Sequence, residues 1–267
     1  MTRSPDLTAA MREVLRLVAA FRPLTTSQIQ RLLDWSYKTA QRTVVKLEQA
    51  ELIETIRIPQ SLQYSHKGGL TEKVCFLSRP GARVLGVPVP SVVVPKRTDK
   101  LFHHILAREV VCWTHQCART YDLETPTTRV RGLKWRDLIP DAFLALPIGD
   151  RTMVALVEAD TGQERGEDHW DKKVAGYAQI FASESVLESA IGFKRARILV
   201  VAPTLTRIRW LERFIQKNDP EGFWLYWFTT PDTLETPDLA RLVWRNEEEK
   251  RPLIDVRLLS TPCPHVG

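Results

Sequence analysis

Two short, nearly unbroken apolar runs, residues 152–157 and 198–202, constrain this chain more than any other feature. Each is rich in Val, Ile and Leu, and each is too short for a buried helix. Gly149-Asp150 precedes the first run and Pro203 follows the second. A strand apolar on both faces must be covered on both, as in a parallel sheet flanked by helices. The chain between the runs supplies a helical pattern over about 167–181. Residues 138–146 offer a further strand-pair candidate, breaking at Pro147. Thr204 or Thr206 opens a helix through Ile215, and 223–228 reads as a last strand. The second part of the chain is therefore α/β, and the whole chain α+β.

The first third has a different texture. Leu7, Met11, Val14, Val18 and Phe21 fall on one stripe of a helix, which Pro23 ends. Thr25 precedes Gln28 by three positions, a capping-box spacing that opens a second helix through Leu33. Ser36 can cap a third, running to about Gln49, with Ala40, Val44 and Leu47 inward. Its other face carries Lys38, Gln41, Arg42 and Lys46. The β-branched run 52–58 and the stretch 73–77 then read as a hairpin. Their loop carries Lys67 and Gly68-Gly69, with Lys73 just beyond it. Three helices followed by a hairpin is the order of a winged helix-turn-helix. The stretch from Leu77 to Leu85, Leu-Ser-x-x-Gly-x-x-x-Leu, resembles the exit of many bacterial winged-helix DNA-binding proteins. Domains are expected over 1–88 and 101–245, with a Pro- and Val-rich linker at 89–100 and a peripheral tail at 246–267.

Charge supports this division. The net charge is +6, but residues 1–100 carry +8 and the remainder −2. A basic segment on a near-neutral body suggests a module that binds a polyanion. A recognition helix at 36–49 would offer Lys38, Gln41, Arg42 and Lys46 to the major groove. Lys67 and Lys73 on the wing would contact phosphates, which position a protein without reading sequence. Other classes fall away. No run approaches the ~18 apolar residues of a membrane span, and no secretory signal opens the chain. Cys75, Cys112, Cys117 and Cys263 have no zinc spacing, which suits a reduced cytoplasmic protein. His103-His104 point to different faces of a helix, so a shared ion is not expected. There is no P-loop, dinucleotide fingerprint or Gly-x-Ser-x-Gly elbow. Trp224, Tyr226 and Trp227 share one strand, where aromatics fill a core or, in a second use, stack on bases.

The chemistry concentrates in Pro140-Asp141, Glu158-Ala159-Asp160 and Lys172-Lys173. Glu158 and Asp160 are two apart in a strand and face one way. Asp141, Glu158 and Asp160 are expected to meet at the carboxyl ends of adjacent strands. Acids so placed can share Mg²⁺ or Mn²⁺, which activates water for phosphodiester cleavage. Packed carboxylates otherwise need a lysine, and Lys172 and Lys173 are the candidates.

This arrangement resembles the PD-(D/E)XK nuclease fold, a restriction-endonuclease-like α/β domain. Pro140-Asp141 matches its first element and Glu158 its second. Asp160 stands where the fold's lysine belongs, a charge inversion. As in some members, Lys172 or Lys173 would replace that lysine from the following helix, and Glu109, on the preceding helix, matches the place where many members carry one more acid. The resemblance thus implies a metal site of Asp141, Glu158 and Glu109, and a catalytic set of Asp141, Glu158, Asp160, Lys172 and Lys173. A second resemblance covers nearly the whole chain. The winged helix, Pro-Asp-Ala at 140–142, Glu-Ala-Asp-Thr-Gly-Gln-Glu at 158–164 and the strand running into Pro203-Thr204 look like the bacterial replication-relaxation family. That family's stretch reads Glu-x-Asp-x-Gly-Thr-Glu, and this chain departs from it at Gln163. The implied setting is a plasmid or mobile element. The expected partners are double-stranded DNA, proteins of a replication or mobilisation complex, and a second copy of the chain. The reading that follows is a DNA-binding protein whose nuclease-like domain serves binding. An active Mg²⁺-dependent endonuclease is the alternative, and a winged-helix regulator with a dimerisation or sensor domain is the third.

Overall fold

A computed structural model of the protein describes residues 7–58, 72–88, 98–130, 133–162 and 167–239. The fold is mixed α/β, with two sheets. The chain divides into two compact units, Met1–Arg108 and Glu109–Gly267.

The first unit opens with helix α1 (Ala9–Phe21), strand β1 (Leu24–Thr25), α2 (Thr26–Leu33) and α3 (Tyr37–Gln49). Strands β2 (Ile53–Arg57) and β3 (Lys73–Leu77) and helix α4 (Arg79–Leu85) follow. The α1 stripe is buried as its spacing predicts. Thr25 and Gln28 make both bonds of the capping box, and Ser36 caps α3 by accepting the Thr39 N–H. Asp34, in left-handed conformation, turns the chain between α2 and α3. The sheet is antiparallel in the order β1-β3-β2. The short β1 was not expected from the sequence. Lys67 and the Gly68-Gly69 pair lie outside the described residues. Helix α5 (Thr98–Thr120) begins in this unit. Its buried Arg108 donates to the carbonyls of Phe21 and Arg22, at the end of α1. Among the described residues no helix is long and apolar enough to cross a membrane.

One close approach fixes α4. Ser78 caps it by accepting the Gly81 N–H and donates to the Glu51 carbonyl. A Cβ built on Gly81 would lie 2.1 Å from the Leu52 carbonyl oxygen. Gly81→Ala must therefore move backbone, and is expected to cost about 1–3 kcal/mol. Urea denaturation of the full chain measures it, and an unchanged midpoint would contradict the close contact.

The second unit contains strands β4 (Thr127–Arg129), β5 (Ala142–Ile148) and β6 (Arg151–Ala159), then helices α6 (Glu167–Ile180) and α7 (Glu184–Ile191). Strand β7 (Arg197–Val201), helix α8 (Leu205–Asn218) and strand β8 (Tyr226–Thr229) complete it. The sheet runs β4-β5-β6-β7-β8, antiparallel through β6 and parallel from β6 to β8. Phe143, Val154, Leu156, Ile198, Val200, Tyr226 and Phe228 share a core with Trp170, Val174 and Tyr177 of α6 and Ile208 and Leu211 of α8.

Three expectations need correction. The strand expected over 138–146 starts only at Ala142, because Leu138 turns back to bridge Trp135. It also continues through Pro147, which lies beyond Ala145, the last residue β4 pairs. Proline's missing N–H is tolerated where no inner ladder needs it. The last strand begins at Tyr226 rather than 223, since residues 223–225 wind into a 3-10 turn that buries Phe223 and Leu225 and leaves Trp224 out.

Candidate functional site

Alternation along β6 puts Val154, Leu156 and Glu158 on the face that α6 and α8 cover. Asp160 continues that series just past the strand, and both carboxylates are wholly buried. Asp141 lies beside them, though not at a carboxyl end. It precedes β5, and the antiparallel pairing of β5 with β6 brings that start to the end of β6. Asp141 accepts the Ala159 N–H at 2.9 Å. This corrects the expected strand direction while keeping the adjacency.

Two clusters result. In the first, Lys173 donates to Glu158 Oε2 at 2.6 Å and the Tyr177 hydroxyl donates to Oε1. Burial pushes the Glu158 carboxyl above its ordinary pKa. The Lys173 ammonium opposes that shift, and nearby Asp141 adds to it. Burial and the adjoining carboxylate also raise Tyr177, so its hydroxyl stays protonated and donates. In the second cluster, Arg207 grips Asp160 with Nε at 2.8 Å and Nη2 at 2.9 Å. The Trp170 indole N–H adds a bond of 2.6 Å and the Gly162 N–H one of 2.7 Å. Burial alone would raise Asp160, but these bonds and the Arg207 charge outweigh it and leave the carboxyl below its ordinary pKa.

Helix periodicity decides between the two lysines. Trp170, Lys173 and Tyr177 are three and four apart and share a face. Lys172 is exposed on another. Arg207 was missed in the sequence. Its only signal is its place three residues after Thr204, which caps α8 by accepting the Arg207 N–H. Both oxygens of Glu158 and both of Asp160 already accept from cations or strong donors. Among the described residues, no group of three His, Cys, Asp or Glu could hold a metal ion, with Glu109 or without it. The donors that are present make a network of ion pairs around Glu158 and Asp160.

The first unit has a second surface of interest. Lys38, Gln41, Arg42 and Lys46 are all exposed on α3, while Ala40, Thr43, Val44 and Leu47 are buried. Lys73 is engaged locally. It donates to Glu48 at 2.5 Å, and Thr55 also donates to that carboxylate. The Lys73 bond, followed by the Thr55 bond, holds the Glu48 carboxyl below its usual pKa.

No curated protein matches the chain. The family model described as replication-relaxation matches residues 15–193. That span is about two thirds of the sequence and takes in α3, Asp141, the carboxylates of β6 and the α6 partners, so the chain belongs to the replication-relaxation family.

Proposed function

We propose that the protein binds double-stranded DNA through α3, in the replication or relaxation of a plasmid or other mobile element, and that its second unit is a nuclease-like binding platform. The carrying observation is the exposed row Lys38, Gln41, Arg42 and Lys46 opposite a buried apolar face. Three helices followed by antiparallel strands, in the order of a winged helix-turn-helix, support it. So does the concentration of net positive charge in the first hundred residues. Arg and Lys on such a helix reach base edges and phosphates. The wing cations Lys67 and Lys73 would add contacts to phosphates alone.

Arg42→Ala combined with Lys46→Ala is expected to weaken duplex binding about tenfold or more. The slope of log affinity against log salt should also become shallower by about 2, one unit per lost phosphate contact. Fluorescence anisotropy with a labelled duplex measures both. Unchanged affinity and slope would refute α3 as the reading element. The platform half of the proposal has its own test, incubation with supercoiled and linear DNA plus Mg²⁺ or Mn²⁺. Cleavage that disappears in Glu158→Ala would replace the platform by a metal-dependent endonuclease. The lysine that α6 delivers to Glu158 is what favours that second reading.

A further inference from the structure

The end of the second unit's sheet opposite Glu158 holds a cavity of about 390 Å³. That volume lies within the ~300–1,000 Å³ typical of small-ligand sites. It opens at the amino end of β7, four residue steps or ~13 Å along the strand from Val201, which pairs with Ala159. Leu187, Ala196 and Leu225 give it a buried apolar floor. Lys194, Arg195 and Arg197 line it, against one acid, Glu184. Glu184 meets Arg195 at 3.5 Å with both side chains largely in solvent. Such a surface pair contributes little and yields readily to a competing anion.

Trp224 stands at this cavity with 43% of its surface exposed, while its neighbours Phe223 and Leu225 point inward. The Arg197 guanidinium lies 4.8 Å from the centre of its ring. A cation over an indole holds the ring in place. An indole presented to solvent beside three cations and an apolar floor is the combination that receives a base together with its phosphates.

We propose that this cavity takes one unstacked base of a single DNA strand, with Trp224, braced by Arg197, as the stacking face and Lys194 and Arg195 facing the adjoining phosphates. The excess of cations favours a nucleic acid over an apolar peptide. This site is separate from the duplex surface on α3 and does not depend on it. A duplex keeps its bases stacked inside the helix and leaves the cavity without a partner, so the site discriminates between strand states.

The test uses the full chain and a fluorescein-labelled oligothymidylate. Trp224→Ala is expected to weaken single-strand binding about tenfold, as loss of one base–aromatic stack does. Trp224→Phe keeps a stacking face and should recover most of that affinity. Lys194→Ala with Arg195→Ala should make the salt dependence shallower. Duplex affinity should not change in any of these variants, and the Trp224→Ala effect should persist when Arg42 and Lys46 are also replaced. These side chains are exposed, and a retained melting temperature confirms folding. Undetectable single-strand binding by the wild type, unchanged affinity in Trp224→Ala, or equal losses on single strand and duplex would each overturn the proposal.

Discussion

Replacing Asp160 with alanine is expected to destabilise the protein by about 3–5 kcal/mol, the usual cost of removing one member of a buried ion pair. The carboxylate is fully buried and takes hydrogen bonds from the side chains of Arg207 and Trp170 and from the Gly162 backbone. Without it, the indole N–H has no acceptor in a site closed to water, because Trp170 is also fully buried. Arg207 keeps some contact with solvent, which limits the loss. At ~2–4 °C per kcal/mol for a chain of this size, melting should fall by roughly 6–20 °C. Asn does not rescue, since its NH2 must replace one carboxylate oxygen and there meets an Arg207 N–H together with either the Trp170 or the Gly162 N–H. The effect depends on pH. The folded pKa of Asp160 lies below the unfolded value of ~3.9. Its stabilisation is therefore complete above that value and is lost as pH falls through the folded pKa. The gap between wild type and Asp160→Ala should be full at neutral pH and narrow in acid. A gap that widens in acid would contradict the pairing with Arg207.

The parts legible in the sequence are those where a local rule agrees with the packing. The α1 stripe, the Thr25–Gln28 capping box and the Ser36 cap each rest on contacts within one or two turns of chain, and each is present. The apolar runs likewise became β6 and β7, paired in parallel. Helix α7 escaped because it is eight residues long and buries only Leu187 and Ile191, too few to trace a stripe. Its punctuation was there to see, with Ser183 before it and Gly192, at φ 83°, after it. At the acidic site the spacing placed Glu158 and Asp160 on one side. It could not divide them between two cations, because Lys173 and Arg207 come from helices whose placement is tertiary. A pair separated by 47 positions has no local signature, and the grip of Arg207 on Asp160 is such a pair. The exposure of Trp224 was equally hidden. A run of aromatics reads as strand, and only the 3-10 turn reverses the alternation.

Replacing Lys173 with methionine is expected to cost a similar ~3–5 kcal/mol at neutral pH, by leaving the Glu158 carboxylate buried without its ammonium. The pH response then separates this variant from Asp160→Ala. Burial already raises Glu158, and Lys173 is the largest influence opposing it. Without that cation the folded pKa climbs further above the unfolded ~4.3. A raised folded pKa means that the linked stability is complete below the unfolded value and is lost as pH rises through the folded one. Relative to the wild type, the Lys173→Met variant should therefore recover stability as the solution is acidified from neutral pH toward ~5, a range in which the gap between wild type and Asp160→Ala stays constant. Urea midpoints of variant and wild type across that range measure it, and a constant difference between them would show that Glu158 does not depend on Lys173 for its charge. Adding Glu158→Gln to Lys173→Met removes the stranded charge and leaves an acceptor for Tyr177. That double variant should return to within about 1 kcal/mol of the wild type, since replacing both members of a buried ion pair by neutral groups of similar volume is often nearly neutral. Recovery would carry a consequence for function. Buried ion pairs are weak contributors to stability when a neutral pair of similar volume can replace them. A pair that can be neutralised without loss of stability is then held for what its charges do, and duplex and single-strand affinities measured on the same double variant show whether that task is the binding of DNA.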